Sequence, residues 1–196
     1  MKSIRLVVCF LLVVLLSFIP SVGEDKPTKN PAPLTADEIA IYKAIVGQFS
    51  SYRIDVSGTT FPLLSGPGPR LSLSDGCFAD IPAESVAAAT HSFHDLTPDV
   101  LLGKDFPNVR LVSPADKENN SGRRNTQGTG AGAATDAPKA ASLSVSEIAF
   151  DKEHRHAVVT YAMWCGSLCG DGATLVFEKT ATGWKKANRR CGNWVS

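Results

Sequence analysis

Cys165 and Cys169 stand in the run Trp164-Cys165-Gly166-Ser167-Leu168-Cys169-Gly170-Asp171-Gly172, between two β-rich stretches. An extended chain would separate two such residues by about 13 Å. A disulfide needs α-carbons about 4.4–6.8 Å apart. A bond between these cysteines therefore demands a tight reversal, and the glycines at 166, 170 and 172 offer the backbone freedom for it. Strand, clipped turn and returning strand is the arrangement that this run imposes on the chain around it.

Whether a bond forms depends on compartment, and the start of the chain bears on that. Met1-Lys2-Ser3-Ile4-Arg5 is basic, Leu6 to Phe18 is nearly unbroken apolar sequence, and Ser21-Val22-Gly23 supplies small residues before Glu24. This is the three-part pattern of a secretory signal peptide, residues 1–23, cleaved after Gly23. The apolar run is shorter than the roughly 20 residues of a membrane-spanning helix, so no stable span is expected after cleavage. The expected location is periplasmic or extracellular. Cleavage would remove Cys9 and leave Cys77, Cys165, Cys169 and Cys191, an even set that suits two disulfides. Sequence alone leaves three pairings open. The pairing expected is Cys165–Cys169 with Cys77–Cys191. The chain-entropy model gives about 2 kcal/mol for the short loop and nearly 5 for the long one, so the second bridge would stabilise more.

Cleavage also removes Lys2 and Arg5 from 20 basic residues set against 19 acids, leaving one excess acid. A near-neutral chain has no general electrostatic reason to bind nucleic acid or an anionic membrane.

Glu24 to Pro33 is rich in proline, charge and small residues and reads as a flexible linker. A single domain is expected over residues 34–196. Thr35-Ala36-Asp37-Glu38 is a capping box, and Ile41, Tyr42, Ile45, Val46 and Phe49 then form one stripe, which predicts a helix over Ala36–Phe49. Tyr52–Val56 alternates as a strand, with Thr59–Leu64 as its expected partner across a turn. Leu71–Ser74 is a weaker strand candidate. Pro82 opens a second predicted helix, Ala83–Phe93. Val109–Val112 is a short strand. Pro114–Ala141 offers almost nothing to bury and is expected to be a disordered internal loop, because it cannot offset the entropy of ordering. Asn119-Asn120-Ser121 matches a glycosylation sequon, and the match is read as chance.

The remainder predicts a meander: Ser146–Phe150, Arg155–Trp164, Ala173–Lys179, Trp184–Arg190, and Trp194-Val195 as an extension. Consecutive strands with short turns are antiparallel neighbours. In Ala173–Lys179, Ala173, Leu175 and Phe177 point one way and Thr174, Val176 and Glu178 the other. The expected fold class is α+β, one domain, a C-terminal antiparallel meander packed against one or two N-terminal helices with its other face wet.

Chemistry is thinly signalled. A redox pair would need a reactive thiolate, which is usually set at a helix N-terminus. Cys165 and Cys169 are flanked by strands, so a structural clip is the plainer reading. His91/His94 and His154/His156 have spacings that would place two metal ligands together, but no third ligand is evident. The plainer reading is solvated histidines, and no metal or other cofactor is expected. Lys179, Lys185, Lys186, Arg189 and Arg190 make the last hairpin basic, fit either to meet an anionic surface or to protect a sheet edge. There is no Gly-x-Ser-x-Gly, His-Glu-x-x-His or Ser-x-x-Lys motif and no phosphate loop.

Ser146-Glu147-Ile148-x-Phe150, Cys165-Gly166-x-Leu168-Cys169-Gly170-x-Gly172, Glu178-Lys179, Gly183-Trp184-Lys185 and Trp194-Val195-Ser196 together resemble a set of uncharacterised, signal-bearing bacterial proteins. The Leu34–Phe49 helix and the Phe106–Ser113 segment are similar more loosely. The resemblance implies export and a bacterial source but no catalytic residue. Cys77, Cys191 and Pro114–Ala141 depart from its pattern. The leading expectation is an exported, non-catalytic domain that binds another protein or a cell-surface polymer. The alternatives are an extracytoplasmic enzyme with a pocket between helix and curved sheet, and a thiol–disulfide protein using Cys165 and Cys169.

Overall fold

Helix α1, Ala36–Gln48, begins at the capping box: the Glu38 N–H donates to the Thr35 hydroxyl at 3.3 Å, and the Thr35 N–H donates to Glu38 Oε2 at 2.6 Å. The helix ends one residue short of expectation, with Phe49 as its C-cap. Its buried stripe is Ile41, Tyr42, Ile45 and Val46. The structure, a computed structural model, describes residues 26–66, 76–98, 105–113, 140–166 and 169–196. The expected signal segment with its cleavage point, the Leu71–Ser74 strand, Asn119 and nearly all of Pro114–Ala141 lie outside these residues. Ala141 itself opens a strand.

Among the described residues the strands are β1 (Thr28–Lys29), β2 (Ile54–Ser57), β3 (Ser92–Phe93), β4 (Val109–Val112), β5 (Ala141–Val145), β6 (Ala149–Phe150), β7 (His156–Gly166), β8 (Cys169–Thr180) and β9 (Gly183–Val195). The main sheet runs β4-β2-β5-β7-β8-β9, with β6 also on β7. The predicted meander is present as β7, β8 and β9, antiparallel throughout; its expected first strand, Ser146–Phe150, shrinks to β6, and the antiparallel neighbour on the far side of β7 is β5, which lies before it in the chain. With the two helices, the sheet makes an α+β domain.

Four further expectations need correction. β2 pairs in parallel with both β4 and β5, not antiparallel with Thr59–Leu64. That segment makes only isolated bridges, Thr59 to Asp95 and Phe61 to Ser146. The second helix, α2, stops at His91, and Ser92–Phe93 turns into β3. The expected linker over 24–33 is partly docked: β1 pairs with β3, and the Asn30 N–H donates to Phe93 O at 2.8 Å.

The fourth concerns the wet face. Side chains alternate across a strand, so Ala157, Val159 and Tyr161 of β7 share a face with Ala173, Leu175 and Phe177 of β8, and that face packs on α1. Val158 and Val176 point the opposite way, into a second core with Leu63, Phe78, Ile81, Val86 and Ala89. The short helix Gly76–Phe78 and α2 (Ala83–His91) cover this side. The centre of the sheet is therefore covered on both faces. Burying two apolar rows instead of one is what lets so few strands and helices enclose sizeable side chains.

β9 is irregular against β8. The stretch Asp171–Glu178 runs opposite the longer stretch Lys185–Val195, with register shifts between. Such bulges re-aim side chains. Here they leave Trp184 against the first core and Ala187 and Cys191 against the second.

Candidate functional site

The hairpin of β7 and β8 ends at the run that constrained the sequence. Cys165 and Cys169 are disulfide-bonded with α-carbons 5.1 Å apart, and Cys77 and Cys191 are bonded at 5.5 Å. Gly166 has φ 153°, a conformation that side-chain-bearing residues rarely adopt. Gly170 and Gly172 serve differently, because neither has a positive φ. A Cβ on Gly170 would lie 2.8 Å from the Trp194 ring and 2.9 Å from the Trp164 ring, and one on Gly172 would lie 2.2 Å from Trp194 Nε1. The bare glycines are seats for two indoles. Trp164 and Trp194 meet with ring centroids 4.7 Å apart and planes tilted by 41°. The chain end closes over them through Ser196, whose N–H donates to Gly170 O at 3.0 Å.

This end also presents apolar surface to solvent: Trp164 is 40% exposed and Val195 76%, while Tyr52, at 63%, stands alone before β2. Behind it, the Tyr161 hydroxyl donates to Asp171 Oδ2 at 2.8 Å. The cysteines stand at strand ends and neither starts a helix, which is where a dithiol oxidoreductase usually presents its thiols.

The basic residues of the last hairpin are mostly engaged within the molecule. Lys179 donates to Asp37 at 2.7 Å, Lys186 to Gln48 at 3.0 Å and Arg189 to Asp80 at 3.4 Å, while Lys185 sits opposite Glu178 across the strands. The Lys179 bond holds the Asp37 carboxyl below its ordinary range, with the Trp184 indole second. Trp184 Nε1 is outside hydrogen-bond geometry with any acceptor among the described residues, so its influence on Asp37 is one of proximity.

The structure assigns the histidines new roles. His91 is exposed at the end of α2, whereas His94 is buried beyond it, so they do not share a helix face. His94 Nδ1 lies 2.8 Å from Glu147 Oε2, its backbone N–H donates to Glu147 Oε1 at 2.9 Å, and the Thr60 hydroxyl also donates to that oxygen. Nearby, Tyr42 donates to Ser146 O at 3.0 Å; burial, then Glu147, then Glu38 keep its hydroxyl protonated far above the usual range. His154, at φ 51°, stacks on Phe150 with centroids 4.8 Å apart. His156 Nδ1 lies 3.0 Å from Asp151 Oδ2. Burial alone would raise the Asp151 carboxyl, but the His156 N–H, the His156 ring and the Arg155 N–H outweigh it and lower it. Among the described residues, no three His, Cys, Asp or Glu side chains are placed to share a metal ion.

A cleft of about 220 Å³ lies between the starts of α1 and β6 and the end of α2, and His94, Glu147, Glu38, Phe150 and His154 line it. A broader depression of about 310 Å³ at the start of α2 is larger, but its charged side chains Asp80, Glu84, Lys152 and Glu153 are all exposed. Volume alone would favour the depression; buried, converging polar groups favour the cleft. Neither His94 nor Glu147 was legible as half of a pair, because 53 residues separate them. The only sequence signal was an acidic residue, Glu147, directly before the apolar run Ile148-Ala149-Phe150 of a strand candidate.

These features define the chain as an α+β domain stapled by two disulfides. No helix among the described residues is long and apolar enough to cross a membrane. Comparison with known proteins finds no matching family model, no matching curated protein and no matching solved structure.

Proposed function

We propose that the chain is exported and acts as a non-catalytic binding domain, meeting another protein through the clipped end of its β7–β8 hairpin. The observation that carries this is the exposed Trp164 packed at a tilt against Trp194 and framed by Val195, on a hairpin end fixed by a disulfide. Tryptophan is enriched at the centres of protein interfaces, and a rigid aromatic anchor loses little entropy on binding. Export is supported by the signal-like start together with paired cysteines, which persist in oxidising compartments. The cell-surface polymer reading loses its motive, since three of the basic residues that would meet an anionic polymer are held by Asp37, Gln48 and Asp80.

The test is photo-crosslinking in producing cells, with a photoactivatable side chain at position 164 and, as control, at exposed Lys185. The expected result is one discrete protein adduct from position 164, absent from the control and lost when Trp194→Ala is added. Crosslinks to polymer alone, or equal capture from both positions, would overturn the reading.

A second reading, catalysis in the cleft between helix and sheet, is favoured by one specific observation: the buried His94 ring oriented by the Glu147 carboxylate. This is how a general base is commonly held. A broad hydrolase screen of mature protein checks it. Turnover abolished by His94→Gln would support it, and a screen without turnover would leave it unsupported.

A further inference from the structure

The two disulfides stand in unlike places. Cys77 and Cys191 pack against the second core and join segments far apart in the chain. Cys165 and Cys169 stand at the tip of the β7–β8 hairpin, Cys169 exposed and Cys165 half-buried, and neither packs in a core. Thiol–disulfide exchange needs a thiolate to reach one of the two sulfurs, so access decides which bond is attacked first. Ends of elements also open locally at far lower cost than the core does.

The strand ladder sharpens this contrast. It is regular from β7 to β8 as far as Trp164 opposite Gly170, then shifts register at Cys165 and ends with Gly166 opposite Cys169. Beyond Trp164 the hairpin is held by the disulfide and one irregular pair. A bond closing so short a loop restrains the unfolded chain little, so the fold can outlast its opening. The bond is nevertheless placed to govern the tryptophans. Trp164 directly precedes Cys165, and Gly170, on which both indoles sit, directly follows Cys169. Once the bond opens, the strands can part at this pair and Trp164 can leave Trp194.

We propose that Cys165–Cys169 is a redox switch on the tryptophan pair: a dithiol opens this bond while Cys77–Cys191 stays closed, and opening separates Trp164 from Trp194. One thiolate of the dithiol attacks the exposed Cys169 Sγ, the S–S bond breaks, and Cys165 leaves as a thiolate that takes up a proton. The second thiolate of the dithiol then attacks its own sulfur in the mixed disulfide, releases Cys169 and closes the reductant's disulfide. Two electrons and two protons pass from the dithiol to the protein. The cysteines are here the target of exchange and not its catalyst, so no lowered thiol pKa is required. The effect on a partner rests on the hairpin-end reading above; the opening and the release of Trp164 do not.

The probe is reduced dithiothreitol, added without denaturant to the mature protein at about pH 8, where its thiolate is available. Free thiols are trapped by alkylation and assigned by peptide mass, while tryptophan emission and far-ultraviolet circular dichroism are followed. Cys165 and Cys169 are expected to label at least about tenfold faster than Cys77 and Cys191. Emission should shift as they open, with the circular dichroism unchanged, and oxidised dithiothreitol should reverse the shift. The double variant Cys165→Ser, Cys169→Ser should show the shifted emission before any reductant is added. Equal labelling of all four cysteines, earlier labelling of Cys77 and Cys191, no labelling at all, or unmoved emission once Cys165 and Cys169 are free would each overturn the proposal. In producing cells, the adduct from position 164 should fall at least about tenfold in the folded double variant. An undiminished adduct would overturn the switch, whereas no adduct even with the bond intact would overturn the hairpin-end reading and leave the switch to the exchange result.

Discussion

The α-carbons of Cys77 and Cys191 lie 5.5 Å apart, although 114 residues separate them in the chain. Their bond ties the segment entering α2 to β9, the last strand, on the second face of the sheet. The Cys165–Cys169 bond spans only 4 residues and fixes a reversal that β7 and β8 already make by pairing. Closing a long loop restricts the unfolded chain far more than closing a short one. Replacing Cys77 and Cys191 by serine is expected to cost about 5 kcal/mol, and replacing Cys165 and Cys169 about 2. Urea unfolding of the two double variants measures both values, and a reversed order would show that native-state strain, not loop length, decides.

The second core makes a separate prediction. Leu63 is fully buried against α2 and the face of the sheet that bears Val158 and Val176. If that face were wet, truncating Leu63 would matter little. With the face covered, Leu63→Ala should destabilise by about 2–5 kcal/mol through lost burial and the cavity left behind. Thermal and urea unfolding of this variant distinguish the two cases.

How much of this was legible depends on the range of the interaction that carries the signal. The helix from Ala36 was legible because its cap and its stripe lie within a few residues of each other, and capping and packing agree there. The meander was legible because short turns leave consecutive strands little choice but antiparallel pairing. The pairing of β2 with β4 and β5 was not, because parallel strands need long connections and no local residue records their register. The second core was half legible. Val176 on the supposedly wet face, between Thr174 and Glu178, was the clue, and only the position of α2 gives it meaning. Gly170 and Gly172 show the ambiguity of glycine itself: a turn and a close approach look the same in sequence.

The seating of the tryptophans can be tested at Gly172. An added Cβ would meet Trp194 Nε1 at 2.2 Å and Tyr161 O at 2.9 Å, so either the indole or the strand must move. Gly172→Ala is expected to cost about 1–3 kcal/mol, in the range of overpacking. It should also change tryptophan fluorescence, because Trp194 would be displaced from Trp164. Gly76 is the control, since nothing lies within 4 Å of a Cβ built there. Gly76→Ala should leave both fluorescence and stability nearly unchanged.

Asp151 sets an acid limit on the fold. Its side chain is 4% exposed, and its carboxylate accepts from the Arg155 N–H at 2.6 Å and the His156 N–H at 3.0 Å, with the His156 ring at 3.0 Å from its second oxygen. These contacts hold its pKa in the folded state below the ordinary carboxylate value despite burial. In the unfolded chain the group titrates normally, near pH 4. Between the two values the unfolded state binds more protons, so stability falls as pH falls. The contribution is therefore fully present above about pH 5 and is lost progressively as pH drops through the depressed folded value. Asp151→Asn keeps an oxygen for the two N–H donors but removes the charge. It should cost about 1.5–3 kcal/mol at neutral pH, in the range for hydrogen bonds to a charged group. Because the wild type loses the same contribution on protonation, the gap between the two proteins should close as pH falls through the depressed folded value. Urea midpoints across this range measure it; a gap that stays constant with pH would mean that Asp151 acts only through shape.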